Sequence, residues 1–215
     1  MDEFPIVPSK TAMLFFDTLN TYYHPDGPDA PLSGEAAAVV PQLQRMNQAC
    51  RAAGIAIFYG QADHRPDYKD FAPLIVDLGY DGKPGEPPRR STPPHVTGGG
   101  WLSEVIPEIA PQPGDYIIKK HRWSTFFQTH LELSLRTAGI DTIIQAGGAT
   151  HVGIASTAYS ARDRDFNQII LRDACNAGRP GVNEFFMDHV FPVFARVMTV
   201  DQAIALIEAG ARASR

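Results

Sequence analysis

Short apolar runs, each about one strand long, alternate with helical patterns along the whole chain, and this alternation most constrains the fold. The runs are "TAMLFFD" (11–17), "IAIFYG" (55–60), "DYIIKK" (115–120), "TIIQAGG" (142–148), "NQIILRD" (167–173) and "RVMTV" (196–200). They are mostly continuous apolar stretches and not a polar/apolar alternation, as expected for strands buried on both faces. Between them lie helical patterns over 33–54, 127–139 and 152–165, a partly helical stretch at 183–195 interrupted by Pro192, and a last helix, "QAIALIEAGA", capped by Asp201. The expected architecture is α/β: a three-layer αβα arrangement, with a mainly parallel sheet of about six strands and helices on both faces, in a single domain over 1–215.

Local signals set the boundaries. Ser33 is a plausible N-cap and Gly54 a C-terminal stop for the 33–54 helix. Pro41 inside it means that the helix either kinks there or begins there. A short helix is expected at 101–109. Residues 61–98 are rich in Pro, Gly and charge, and read as a long excursion over the active face.

The formal net charge is −5, and the densest basic groups, Arg89-Arg90 and Lys119-Lys120-His121-Arg122, are short, so no nucleic-acid footprint is expected. No apolar run approaches a membrane span, and the N-terminus does not resemble a signal peptide, so no membrane partner is expected. Cys50 and Cys175 lie in no ligand spacing, which points to a reducing, cytoplasmic setting and to structural thiols.

Ligands of open α/β sheets bind beyond the carboxyl ends of the strands. Three such ends carry chemistry here: Asp17, Lys119-Lys120, and the Gly-rich turn "GGATHVGIAST" (147–157), which runs into a helix. Each alone has an ordinary explanation, namely a turn cap, a snorkelling lysine and turn glycines. Together they suggest an acid/base constellation beside a tight turn.

These same residues resemble the isochorismatase-like hydrolases, the cysteine hydrolase superfamily that includes nicotinamidases, ureidoacrylate amidohydrolases, N-carbamoylsarcosine amidohydrolases and isochorismatases proper. "MLFFDTLNTYY" resembles the family's first strand, which makes Asp17 its catalytic acid. "WSTF" (123–126) resembles the aromatic-Ser-small-Phe group behind the family's lysine, which places that lysine at Lys120. "LRDAC" resembles the following strand. The resemblance also implies a cis peptide at Gly148–Ala149, and an oxyanion hole formed by the N–H groups of Ala149 and Gly153. It implies no cofactor, a small-molecule substrate, and a homodimer or homotetramer.

The nucleophilic cysteine of the family would stand at position 153, where this chain has Gly153. Covalent capture then lacks an attacking atom. Isochorismatases proper can also carry glycine there and cleave a vinyl ether by proton delivery. In that reading Asp17 is the proton donor, in a neutral state that burial favours and Lys120 opposes. Lys120 is its electrostatic partner, and Gly153 makes room for substrate or water. Gln61, Tyr22, Arg65, Trp101, Trp123 and His151 are candidate substrate contacts, with Arg65 in a stretch that reads equally as a solvated loop; His95 is a further loose histidine. Phe126 reads as core. The adjacent Asp63 and His64 of "QADHRPD" do not match the Asp-x-His metal spacing of nicotinamidases, so no metal is expected. Alternatives left open are a C–N hydrolase in which Asp17 activates water, a binding protein on a scaffold that lost its thiol, and a cysteine amidase whose nucleophile was substituted.

Overall fold

All six expected strands form in the computed structural model, which describes residues 4–32, 34–67, 69–70, 96 and 98–213. They are β1 (Thr11–Phe16), β2 (Ala56–Ala62), β3 (Tyr116–Lys120), β4 (Thr142–Gly148), β5 (Asn167–Asn176) and β6 (Arg196–Met198). The strands build one sheet in the order β3-β2-β1-β4-β5-β6, and every pairing is parallel. The helices are α1 (Asn20–Tyr23), α2 (Gly34–Ala37), α3 (Val40–Ala53), α4 (Leu131–Thr137), α5 (Ala155–Arg162), α6 (Val182–Phe185) and α7 (Val200–Ala213).

Side-chain alternation along β1 sorts the core into two layers. Met13 and Phe15 pack with Leu43, Met46, Cys50, Leu206 and Ile207, beneath α3 and α7. Ala12 and Leu14 pack with Leu131, Leu135 and Ala161 on the opposite face, beneath α4 and α5. Phe16 continues that second face into a cluster with Ile154, Ala158, Met187 and Phe191. Every residue of β1 is buried, as its apolar run demanded.

Several boundaries differ from expectation for identifiable reasons. The 33–54 segment divides: α3 starts at Val40 with Pro41 in its first turn, so the proline starts the helix and does not kink it. Ser33 lies outside the described residues. The expected 127–139 helix shortens to α4, because the hydroxyl-rich "WSTFFQTH" makes turns instead. Gln128 takes a left-handed φ of 54°, and Thr129 Oγ1 accepts the Leu131 N–H at 3.2 Å. The 101–109 helix is replaced by two 3-10 turns, Trp101–Ser103 and Pro107–Ile109. Asp201 does not cap α7: its carboxylate pairs with Arg45, while Asp173 accepts the Val200 N–H at 2.9 Å and Thr199 Oγ1 accepts that of Gln202 at 3.3 Å. Most of the expected 61–98 excursion, including Arg89, Arg90 and His95, lies outside the described residues. Among those described, no helix is long and apolar enough to cross a membrane.

The sheet brings β1 and β4 together at Phe16 and Gly147. Gly147 has φ +117°, and a Cβ there would lie 2.1 Å from the Phe16 carbonyl oxygen. No other residue type fits this close approach. Gly147→Ala is expected to destabilise the protein by at least ~2 kcal/mol, from backbone strain plus overlap. Gly100→Ala, where a Cβ meets nothing within 4 Å, should stay within ~0.5 kcal/mol of the parent. Urea denaturation midpoints of the two variants check the contrast.

Candidate functional site

The site begins where β1 ends. Asp17 takes a left-handed φ of 45°, a conformation that Asp tolerates better than most side chains. Its N–H donates to the Gly60 carbonyl at 2.8 Å, tying the turn to β2. Two donors reach its carboxylate. The Ala62 N–H donates to Oδ1 at 2.8 Å, and the Lys120 ammonium donates to Oδ2 at 2.8 Å. β2 lies between β1 and β3, so the carboxylate spans the end of the middle strand to meet a lysine two strands away.

Both members of the pair are buried, Asp17 to 8% and Lys120 to 4% exposure. Alternation along β3 explains why Lys120 and not Lys119 is the inward lysine: Lys119 is exposed and pairs with Asp63 at 3.0 Å. The Lys120 ammonium also lies 4.2 Å from the centroid of the Phe16 ring, a cation–π contact in a desolvated setting. The ammonium is thus held from two sides, by a carboxylate and an aromatic face.

The Gly-rich turn completes the floor. The Gly148–Ala149 peptide is cis, as the resemblance implied. Thr150–Ile154 winds into a single wide π turn that leads into α5. Thr150 Oγ1 donates to Asn183 Oδ1 at 2.7 Å, and the Asn176 amide sits over Gly148, 2.8 Å from where a Cβ would be.

Gly153 is buried within this turn, and a Cβ built on it would lie 2.1 Å from both Cε1 and Cζ of Phe16. Carbon atoms in contact normally stand about 3.5–4.0 Å apart. The expectation that Gly153 makes room for substrate or water is therefore corrected: the room is taken by the Phe16 ring. No side chain, and no thiol, fits at 153 while that ring keeps its place. Neither existing cysteine substitutes for one. Burial pushes the thiols of Cys50 and Cys175 up to about 12, so both stay protonated. Cys175 packs in the Phe16 cluster, with its thiol 3.9 Å from the Gln145 carbonyl.

The other expected contacts divide. Tyr22 is 47% exposed on α1. Its phenol is held neutral by burial, with the nearby Asp17 charge adding to the effect. Trp101 faces the His24 ring at 6.3 Å and buries an indole N–H with no hydrogen-bond partner among the described residues. His151 stands in the turn against Phe186, and burial lowers its pKa. Gln61 is turned to the 101–103 turn, where its amide donates to the Ser103 carbonyl. Arg65 does not reach the pair: it is exposed and bidentate to Asp67, at 2.8 and 2.9 Å. Trp123 is 56% exposed, and Phe126 packs against Phe166 in the core.

Two residues emerge only from the coordinates. Phe16 read as one more apolar strand residue. Tyr23 is fully buried beside Asn176, its phenol kept neutral by burial first and then by the proximity of Cys175 and Asp17.

Comparison with known proteins agrees with this fold. The isochorismatase domain family matches residues 11–202. A ureidoacrylate amidohydrolase of Azorhizobium caulinodans is 30% identical over 206 residues, covering 89% of this chain and 87% of the relative. The crystal structure of a cysteine hydrolase from Pseudomonas syringae pv. phaseolicola superposes with TM-score 0.80 at 28% identity, covering 97% of each chain. An N-carbamoylsarcosine amidase from Thermoplasma acidophilum superposes with TM-score 0.66 at 29% identity, covering 89% of this chain and 97% of that one.

If Phe16 and Gly153 exclude one another, their substitutions must couple. Gly153→Ala should cost ~1–3 kcal/mol through overpacking. The same change in a Phe16→Leu background should cost at least ~1 kcal/mol less, within the range of contact couplings. A double-mutant cycle from denaturant unfolding reads this directly, and additive costs would show that the ring moves aside freely.

Proposed function

We propose, for a chain that belongs to the isochorismatase family of hydrolases, that it hydrolyses a small vinyl (enol) ether without a thiol, by proton transfer from Asp17. The observation that carries this reading is the Phe16 ring over Gly153, which leaves covalent capture no atom and no space. The carboxylate–ammonium pair remains in place, with a 2.8 Å contact.

The chemistry then runs as follows. Asp17, carrying its proton, delivers it to the terminal vinyl carbon, and the C=C electrons form the new C–H bond. The adjacent carbon becomes an oxocarbenium centre, and water adds to it and loses a proton. The hemiketal collapses to a carbonyl compound and an alcohol. The proton lost by water restores the Asp17 acid. The charge left on Asp17 after the first step meets two donors already in position, the Lys120 ammonium and the Ala62 N–H, and needs no reorganisation.

The energetics of the pair support a functional role. A buried ion pair seldom stabilises a fold relative to apolar side chains of the same volume, whereas deleting one partner costs about 3–5 kcal/mol. A buried pair at the carboxyl ends of parallel strands sits where such folds bind ligands.

A second reading is C–N hydrolysis, in which the Asp17 carboxylate takes a proton from water. The names of the relatives favour it, since they are amidohydrolases or amidases at about 30% identity. It needs water positioned between Asp17 and the substrate carbonyl, and the Ala149 and Gly153 N–H groups as oxyanion donors.

Assay of the untreated chain against isochorismate, ureido compounds, nicotinamide and simple amides separates the two readings. Turnover of the vinyl ether should survive iodoacetamide at neutral pH, because both thiols are buried and protonated. Asp17→Asn keeps the side-chain shape and the left-handed preference, and should lower kcat by ~10²–10⁴. Amide turnover without vinyl-ether turnover would select the second reading.

A further inference from the structure

We propose that His24, standing as an imidazolium, is a positioning residue that sets one wall of the Asp17 site, and that substrate binding depends on pH through it. This rests on Asp17 as the reacting acid, but not on which bond is cleaved.

Both ring nitrogens of His24 meet acceptors. Nδ1 lies 3.2 Å from the Ala30 carbonyl oxygen, and Nε2 lies 3.1 and 3.3 Å from the two carboxylate oxygens of Glu108. A neutral imidazole carries one N–H, so one of its lone pairs would face an oxygen, whereas the imidazolium donates from both nitrogens. Turning the ring over would set carbon atoms against both acceptors. The residue is only 7% exposed, so little water is at hand to relieve a mismatch. Glu108 brings the facing charge from the 107–109 turn. The 101–103 turn offers the Trp101 ring, tilted at 6.3 Å, and α1 offers the Asn20 carbonyl, which accepts the His24 N–H at 2.7 Å.

This ring closes the second of two fastenings between the start of the chain's site and the 101–109 segment. The first lies at 18–20. The Ile106 N–H donates to the Thr18 carbonyl at 3.0 Å, the Asn20 N–H to the Glu104 carbonyl at 2.9 Å and the Asn20 amide to the Trp101 carbonyl at 2.9 Å. Leu19 and Val105 form an antiparallel bridge. The second is His24 to Glu108, at the far end of α1. Tyr22 stands between the two, where burial and, after it, the Asp17 charge keep its phenol neutral. The 101–109 segment also reaches the end of β2, because Gln61 donates to the Ser103 carbonyl beside Ala62, whose N–H holds Asp17.

The sign of the pH effect follows from the partners. The clasp is complete while His24 and Glu108 are both charged, and it is lost as pH rises and the imidazole sheds its proton. One acceptor then faces a lone pair, and the Tyr22–Trp101 wall loses its outer fastening. The Asp17–Lys120 pair keeps its own contacts, so the effect falls on substrate binding and not on the chemical step.

Proton–nitrogen correlation spectra of the histidine rings at neutral pH test the charge, with the His24 signals assigned by their loss in His24→Gln. Both nitrogens should be protonated in the parent, and one alone in Glu108→Gln. In a Trp123→Phe background Trp101 is the one remaining tryptophan. An imidazolium quenches a neighbouring indole, so its emission should rise with pH and should stay level in His24→Gln. For whichever substrate of the panel is turned over, His24→Gln should raise KM at mildly acid pH by about 10-fold, the scale of a lost hydrogen bond between charged groups. It should leave kcat close to the parent's and flatten the pH profile of KM. Glu108→Gln, at a side chain 21% exposed, keeps its shape and is the second variant should His24→Gln not fold. A single protonated nitrogen in the parent, or Trp101 emission that follows pH equally in His24→Gln, would overturn the charge assignment. A KM profile that both variants leave unchanged would overturn the positioning role. The spectra need no turnover, so their outcome is separate from any failure of the vinyl-ether reading.

Discussion

The Asp17–Lys120 ion pair is the contact on which the rest of the site depends, because it joins strands that are not neighbours. β2 separates β1 from β3 in the sheet. The carboxylate reaches the lysine only because Asp17 leaves β1 in a left-handed conformation and the Ala62 N–H steers Oδ1 across the end of β2. The sheet order, the register of Ala62 against Lys120 and the turn at Asp17 are therefore one device. A parallel sheet is well suited to it, since the carboxyl ends of its strands all point the same way.

Phe16 links that pair to the Gly-rich turn. One ring does three things: it fills the core cluster under α5, it faces the Lys120 ammonium, and it occupies the volume above Gly153. Packing and electrostatics cannot be altered independently here. A smaller residue at 16 would open space beside Gly153, but it would also remove the aromatic face from the buried cation that pairs with Asp17. Position 153 thereby presents no side-chain nucleophile, and the buried charge pair stands beside it at the strand ends.

Much of this was legible in the chain. The continuous apolar runs gave six parallel strands, because burial on both faces leaves no polar alternation to read. Asp17, Lys120 and the 147–157 turn were found as strand-end residues, and the structure brings them together. What was not legible depends on side-chain direction across the sheet. Nothing in "LFFD" distinguishes Phe16 from Phe15, yet Phe15 lies under α3 and Phe16 against Gly153. Gln61 was read as a substrate contact from its place beside the strand end, but alternation turns it to Ser103. The shortened α4 followed from hydroxyl side chains competing for backbone groups, which helical periodicity does not weigh.

The steric relation between positions 16 and 153 also bears on how this chain stands to thiol-using members of its family. Restoring a cysteine at 153 is not a one-step change. Its Cβ would overlap the Phe16 ring at 2.1 Å before the sulfur is even placed. Moving the ring costs core packing in its cluster with Ile154, Ala158, Met187 and Phe191. Ring over glycine, and side chain at 153 beside a smaller residue at 16, are thus alternative ways of filling the same space. A buried carboxylate–ammonium pair is compatible with either packing, because its own contacts run to Ala62 and across β2 and not through position 153. The geometry of the pair is therefore independent of whether a ring or a side chain at 153 fills the space between positions 16 and 153.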